Sequence, residues 1–133
     1  MFSGIVSTWN PVAILDFYNM IRTLNKMCKE IPLDEPWKAP KALELDSMTV
    51  KEFFDKTCWT SYTKKRMIQV LNDAMAAEPE DMSLLFYLWS LNSGGGVLRV
   101  AAIENAGQER KFVGGSQQIS SRIKDKLGDA VNN

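Results

Sequence analysis

Two runs of glycine are the segments of this sequence best suited to binding a phosphate group, because free backbone amides can surround an anion. Residues 94–96 are all glycine, but they follow a predicted helix and precede a predicted strand, which reverses the order in a phosphate-binding loop. We therefore expect this run to end a helix. Gly114 and Gly115 precede a predicted helix start at Ser116. They lack the earlier glycines of a dinucleotide fingerprint, so a turn that requires glycine conformations is favoured.

Acidic and basic clusters could in principle bind metal ions and nucleic acids. Glu78, Glu80 and Asp81 lie beside Pro79, which indicates a helix start, where carboxylates complement the helix dipole. The chain contains no histidine, and we expect no metal site. The basic run at residues 64–66 is predicted to be a solvated helix face. The 16 acidic and 16 basic residues balance, which argues against nucleic-acid binding.

No pair of side chains provides a convincing nucleophile and base, so we expect no catalytic residue in this chain alone. Cys28 and Cys58 lack CxxC spacing and histidine partners. Buried free thiols are therefore favoured over a disulfide or a reactive thiol. The aromatic residues at positions 53, 54, 86, 87 and 89 are predicted to lie in the core. They could also line an apolar cavity for a small molecule.

Five helices are predicted to position these residues, because cap and stop signals recur along the chain. Asn10 and Pro11 start the first helix, which must end before Pro32. The Thr49–Glu52 capping box starts the second. The later helices start at Thr60 or Ser61, at the acidic turn before Met82, and at Ser116.

Apolar residues indicate which helix faces are buried. In the first helix, an apolar stripe is approximated by Val12, Leu15, Tyr18, Ile21 or Arg22, Leu24 and Cys28. Residues 82–91 are apolar on nearly all sides, which predicts that this helix is the centre of the core. The final helix carries Ile119, Ile123 and Leu127 and is expected to stop at Gly128.

A β-hairpin is predicted over roughly residues 97–113. Residues 97–103 are rich in types that suit a strand, residues 105–107 form the turn, and residues 108–113 form the return strand. The predicted fold class is therefore α+β and mainly helical, with about five helices and one hairpin before the last helix. A two-stranded hairpin is weak alone, so we expect it to pack on helices or extend a larger sheet.

Length and hydropathy limit the class of protein. The 133 residues fit one domain with a modest core. The longest apolar run, residues 82–91, is too short to span a bilayer. The N-terminus lacks the basic and apolar regions of a secretory signal, so an intracellular location is the default expectation.

Five motifs together resemble the flavin-dependent monoamine oxidase family. They are WNP at 9–11, KEIPLDEPWKAP at 29–40, MTVKEFFDKTCW at 48–59, LFYLWSL at 85–91 and GQERKFVGGS at 107–116. The motifs occur in the family's order and at its spacing, so the resemblance covers about residues 9–129. PWKAP and QERKFVGG together are specific. The chain is thereby similar to an internal segment of that family's substrate domain.

The resemblance implies a parent enzyme that binds FAD through an N-terminal GxGxxG turn and attaches it through a cysteine near the C-terminus. Such an enzyme oxidises small amines to imines and reduces oxygen to hydrogen peroxide. The cofactor performs the redox chemistry, while the protein supplies a shaped apolar cavity. The resemblance also implies a mitochondrial outer-membrane location.

Several positions of this chain match cavity residues of the family. The resemblance places Gln108 beside the substrate amine and the flavin, and it places Val100 and Ala101 between the entrance and substrate cavities. The other cavity positions that it implies are Ile21, Arg66, Gln69, Val70, Asp73 and Ala74. The family is mostly apolar at 66, 69 and 73. Either the cavity is more polar here or these three side chains face solvent.

Residues 1–133 are therefore interpreted as a single partial domain without a complete FAD-binding domain. We expect the chain alone to bind no FAD and to oxidise no amine. A partial sequence is favoured over a truncated gene product or a domain reused for binding. The alternative function is a non-enzymatic helical module that binds a small apolar ligand or a protein partner. Exposed apolar surface and self-association would support the fragment interpretation.

Overall fold

The structure is a computed structural model that describes residues 10–101, 110 and 112–130, and all regular elements within these residues are helices. Seven α-helices are formed there: α1 (Pro11–Cys28), α2 (Ala42–Ser47), α3 (Val50–Thr57), α4 (Ser61–Met75), α5 (Leu84–Ser93), α6 (Val97–Ala101) and α7 (Gln117–Leu127). Short 3-10 helices occupy Pro36–Lys38 and Gly128–Ala130. None of the helices in the described part of the chain is long and apolar enough to cross a membrane.

The predicted cap signals start most of the helices. Asn10 accepts hydrogen bonds from the amides of residues 12 and 13 at the start of α1. Thr49 and Glu52 form the predicted capping box of α3, and Thr60 caps α4. Short-range hydrogen bonding explains this agreement, because a cap depends only on residues within one turn.

Helix α5 starts later than its apolar pattern predicts. Ser83 accepts a hydrogen bond from the Phe86 amide, so the helix begins at Leu84 instead of Met82. The acidic residues at 78, 80 and 81 lie in the preceding turn. Ser116 occupies the N-cap position of α7 as expected, but its side chain makes no capping hydrogen bond.

The predicted β-hairpin over residues 97–113 is wrong, and the fold class of the described residues is mainly α-helical, not α+β. Val97–Ala101 forms α6, and the Val100 amide donates to the Gly96 carbonyl at 3.1 Å. Residues 102–109 and 111 lie outside the described residues. Strand preference depends on tertiary context, and here Val97 is buried in the core while its amide donates to the Asn25 side chain of α1. Local helical hydrogen bonds therefore satisfy this backbone instead.

Helix α1 packs against α4, α5 and α6 and supplies much of the core. Its buried apolar residues are Ala13, Phe17, Met20, Ile21, Leu24 and Cys28. The predicted stripe is correct at Ile21, Leu24 and Cys28, which are buried, but wrong at Val12, Leu15 and Tyr18, which are exposed. In the first half of the helix, the buried face is rotated by about one residue and includes a carboxylate, Asp16.

Helix α5 contributes one face to the core and leaves another at the surface. Leu84, Tyr87, Leu88 and Leu91 are buried, whereas Phe86 is exposed. Tyr87 packs edge-on against Phe54, with ring centroids 6.2 Å apart. The Tyr87 hydroxyl is buried without a hydrogen-bond partner among the described residues, and burial raises its pKa. The prediction that α5 is the centre of the core is therefore correct for only one face of the helix.

Helix α7 carries an apolar stripe that the rest of the described chain does not bury. Ile119, Ile123 and Leu127 are 47%, 53% and 52% exposed, respectively. The helix stops at Gly128 as expected, where φ is +54°. Phe112 and Val113, which precede the helix, are also exposed. This part of the chain presents an uncovered apolar surface.

Candidate functional site

A buried carboxylate fixes α4 against α1, and these two helices carry most of the predicted cavity residues. Asp16 accepts hydrogen bonds from the Trp59 amide at 3.1 Å, the Thr60 amide at 2.8 Å and the Thr60 hydroxyl at 2.9 Å. The Thr63 hydroxyl adds a 3.4 Å bond to the Ala13 carbonyl. The first turn of α4 is thus tied to α1 by hydrogen bonds as well as by packing.

The charge of Asp16 is stabilised by donors, without an ion pair among the described residues. Burial alone raises the pKa of a carboxyl group, but hydrogen bonds from Trp59, Thr60 and Thr63 outweigh burial. They hold the pKa of Asp16 below its ordinary value of 3.8. Sequence reasoning missed this residue. The signal was a polar side chain at helical spacing between the buried residues at 13 and 20.

Helix α4 presents the predicted cavity residues as two adjacent rows. Val70 and Ala74 are half-buried, whereas Gln69 and Asp73 are exposed. Because residues four apart share a helix face, each pair forms one row. The Gln69 amide oxygen accepts a 2.7 Å hydrogen bond from Arg66. In this chain the polar row faces solvent and the apolar row lies closer to the neighbouring helices.

Helices α1 and α6 carry the remaining described cavity residues. Ile21 is buried, Val100 is half-buried against the core, and Ala101 is exposed at the end of α6. Helix α6 packs against both α1 and α4. The structure therefore brings together the three helices that carry the predicted residues. Gln108 lies outside the described residues.

The glycine run at 94–96 allows α6 to approach α5 and α1. A Cβ at Gly94 would collide with the Val100 side chain, and a Cβ at Gly96 would lie 2.8 Å from the Asn25 oxygen. Gly96 has a φ of +104°, which favours glycine. Asn25 accepts a 3.0 Å hydrogen bond from the Val97 amide. Asn25 thus attaches the start of α6 to α1, a role that sequence reasoning did not predict.

An open groove of about 790 Å³ runs beside Ile21 along α1. Its lining is mixed, since Tyr18 and Ile21 are accompanied by charged side chains. Those charged side chains are Arg22, Lys26, Lys29 and Glu30. The groove is open and its lining is of mixed polarity, unlike the enclosed apolar pockets typical of small-molecule sites.

The described residues do not fit an FAD pyrophosphate. At the start of α6 the Val97 amide is already bonded to Asn25, and Asn25 also fills the space beside Gly96. At the start of α7 the Gln118 side chain donates to the carbonyls of Val113 and Gly115. Neither glycine turn follows a strand of the described structure, as a dinucleotide site requires. No chemical step can therefore be assigned to a flavin held by these residues.

Both cysteines are free thiols, but only Cys28 is buried as predicted, whereas Cys58 is half-buried. Burial raises the pKa of Cys28. Burial and the nearby charge of Asp16 raise the pKa of Cys58 to about 12. Both thiols are therefore poor nucleophiles at neutral pH. Within the described residues, no group of three or more metal-ligating side chains is close enough to hold a metal ion.

Three mammalian enzymes show what the sequence is similar to. Flavin-containing amine oxidase B of Rattus norvegicus is 50% identical over 123 residues, or 92% of this chain and 24% of the relative. The A enzyme of Canis lupus familiaris is 48% identical over 92% of this chain and 23% of its own length. The B enzyme of Homo sapiens is 50% identical over the same share of this chain. No family model matches the chain.

Solved structures share the fold. Cyclohexylamine oxidase from Brevibacterium oxydans superposes on 92% of this chain with a TM-score of 0.85 and 24% identity, and the match covers 27% of that protein. Putrescine oxidase bound to putrescine superposes on 98% of this chain with a TM-score of 0.86 and 22% identity, over 29% of its length. At these identities the structures show a common fold.

The chain spans about a quarter of the length of the curated relatives that it matches. The identity of about 50% extends over 92% of the chain, so it includes all three helices of the candidate site. The predicted family is thereby confirmed. The chain belongs to the flavin-containing monoamine oxidases and corresponds to a segment of about a quarter of their length.

Proposed function

We propose that this chain forms part of the substrate-binding domain of a flavin-dependent amine oxidase. In the complete enzyme, an amine is oxidised to an imine and oxygen is reduced to hydrogen peroxide. The observation that carries this proposal is the identity of about 50% with amine oxidases A and B over 92% of the chain. FAD supplies the redox chemistry in such an enzyme when it is bound.

The proposed contribution of this chain is one wall of the amine cavity. Ile21 on α1, Val70 and Ala74 on α4, and Val100 on α6 provide apolar surface on three helices that pack together. Apolar walls with few polar groups are typical of small-molecule sites. We place Gln108 beside the substrate amine, where its amide would orient the ligand. Ala101 belongs to the same proposed wall.

Gln69 and Asp73 are polar at positions of the proposed cavity where the resemblance implies mostly apolar side chains in the family. Both side chains are exposed in the described structure. This supports an arrangement in which the row of Val70 and Ala74 forms the wall while the polar row faces water. A buried charge at Asp73 would be costly without a partner. The proposed enzyme therefore keeps an apolar cavity despite its polar residues on α4.

The chain alone is proposed to be inactive, because the described residues do not fit FAD and hold no nucleophile and base pair. A parent enzyme at the mitochondrial outer membrane is proposed on the same similarity. The exposed apolar stripe on α7 supports the segment proposal, since about three-quarters of each relative's length lies outside the matched segment and could cover the stripe.

A chimaeric enzyme tests the proposal. The matching 123-residue segment of the Rattus norvegicus B enzyme is replaced by this chain's segment, and flavin absorbance and amine-dependent hydrogen peroxide release are measured. We expect the chimaera to retain flavin and to oxidise amines, while the chain alone does neither. In the chimaera, Gln108→Ala should lower kcat/KM about tenfold through loss of one substrate hydrogen bond.

Gln117→Ala is the matched control, because Gln117 is an exposed glutamine at the start of α7. It should leave kcat/KM unchanged. A flavin-loaded chimaera that produces no peroxide would contradict the proposed function. Unchanged kcat/KM in the Gln108→Ala chimaera would contradict the role of that residue alone.

A further inference from the structure

A second pocket lies between α2, α5 and the 3-10 helix at Pro36–Lys38, away from the helices of the proposed amine cavity. It has a volume of about 260 Å³ and is lined by Pro36, Asp46, Leu85, Phe86 and Trp89. Helices α2 and α5 pack directly on each other. The pocket is therefore built on elements that contact one another, and its size suits a small ligand.

Two aromatic rings form one side of this pocket. The Phe86 and Trp89 ring centroids are 5.8 Å apart with an interplanar angle of 38°. The Trp89 indole nitrogen donates a 2.9 Å hydrogen bond to the Leu33 carbonyl, which fixes the ring. Phe86 is 49% exposed, so part of its ring is available to a ligand. Aromatic faces of this kind attract cations.

A single carboxylate lines the same pocket. Two nearby acids are neutralised: Glu35 pairs with Lys38 at 2.7 Å, and Glu44 pairs with Lys41 at 3.7 Å. No such ion pair or side-chain hydrogen bond joins Asp46 to another described residue. Asp46 therefore leaves an uncompensated negative charge beside the two rings, and charge complementarity favours a cationic occupant.

We propose that this pocket binds a small organic ammonium ion of the size of choline. The alkyl groups contact Phe86, Trp89 and the apolar walls, while the positive charge faces Asp46. Cation–π attraction and the carboxylate act on the same charge, and the walls remove alkyl groups from water. The site is separate from the proposed amine cavity and does not rest on the proposed oxidase function.

Choline and its neutral isostere 3,3-dimethylbutan-1-ol test the proposal with the full chain. Each is titrated at constant ionic strength while the indole N–H signal of Trp89 is followed by NMR. We expect a saturable shift with choline and binding at least about fivefold weaker with the alcohol, because the alcohol lacks the charge. Asp46→Asn and Phe86→Leu should each weaken choline binding about fivefold.

Glu44→Gln is the control for Asp46→Asn, because Glu44 is an acid on the same helix that already has a partner. Phe112→Leu is the control for Phe86→Leu, because Phe112 is an exposed phenylalanine outside the pocket. Both controls should keep the affinity of the unaltered chain. Absence of a saturable shift, equal affinity for the alcohol, or unchanged binding in Asp46→Asn would each overturn the proposal.

Discussion

Asp16 shows how one residue can set the relative position of two helices. A buried charge is costly unless donors surround it. Here the amides of Trp59 and Thr60 meet the carboxylate at the start of α4, where a helix dipole also favours negative charge. These hydrogen bonds offset the cost of burying the Asp16 carboxylate. They also give the amides at the start of α4 an acceptor. The α4 side of the proposed cavity depends on this contact.

Replacing Asp16 should therefore destabilise the fold. We expect Asp16→Asn to lower the free energy of unfolding at pH 7 by about 2 kcal/mol, because the amide nitrogen would face donors and leave a bond unmade. The folded-state pKa lies below the ordinary value of 3.8. The stabilisation is therefore present above about pH 4 and is lost as the pH falls through the folded pKa. Urea unfolding at pH 7 and at successively lower pH measures both effects.

The control for this variant is Asp73→Asn, which removes an exposed carboxylate from α4. Its unfolding free energy should match that of the unaltered chain at pH 7. The difference between the unaltered chain and Asp16→Asn should shrink in acid. A difference that is absent at pH 7, or that persists undiminished in acid, would show that the carboxylate charge is not the stabilising group.

At the scale of the elements, the starts of α3 and α5 support each other. The Val50 amide donates to the Met82 carbonyl at 3.0 Å, and the Leu84 amide donates to the Met48 carbonyl at 2.8 Å. Each helix start thereby satisfies an amide that the other would leave unbonded. Thr49 and Ser83 lie opposite each other in this bridge and cap α3 and α5, respectively.

Removing either cap should cost about 1 kcal/mol of unfolding free energy. We expect Thr49→Ala and Ser83→Ala to be non-additive in the double variant, by at least about 0.5 kcal/mol, because both act on one bridge. Urea unfolding of the two single variants and the double variant measures this coupling. The control is the double variant of Thr49→Ala and Asn10→Ala, which should be additive because Asn10 caps a different helix, α1. Additivity in both pairs would refute the coupling.

Local signals made several elements predictable from the sequence. The starts of α1, α3 and α4 follow from capping side chains within one turn. The short helix α2 lacked such a signal, because Lys41 at its N-cap makes no side-chain capping hydrogen bond and has a φ of +61°. Residues 97–101 have strand-forming side chains but form α6, whose first amide is bonded to Asn25 on α1, so the hairpin prediction failed. This contact joins residues far apart in the sequence, and local preference could not reveal it.

The candidate site was predictable only through family resemblance. Its residues have no shared local pattern, since Ile21, Val70 and Val100 come from three helices far apart in the sequence. The exposure of Gln69 and Asp73 depends on how α4 is rotated against α1. Asp16 and its donors fix that rotation, and they are separated by more than forty positions. Sequence periodicity therefore could not predict the rotation of α4 against α1.

At the scale of the whole molecule, the chain exposes two apolar stripes. One comprises Val12, Leu15 and Tyr18 on α1, and the other comprises Ile119, Ile123 and Leu127 on α7. The relatives are about four times as long as the matched segment. The additional chain of a complete amine oxidase is available to bury such stripes. In the chain alone, the same surfaces can contact other copies.

The chain alone should therefore self-associate through α7. We expect its sedimentation coefficient to rise with concentration, because contact between copies removes apolar area from water. Ile119→Glu with Ile123→Glu should abolish this rise, since the charged side chains cannot be buried cheaply. Ser120→Glu with Ser121→Glu adds equal charge to exposed positions of the same helix and should preserve the rise. A concentration-independent sedimentation coefficient for the unaltered chain, or equal suppression by both double variants, would exclude association through the α7 stripe.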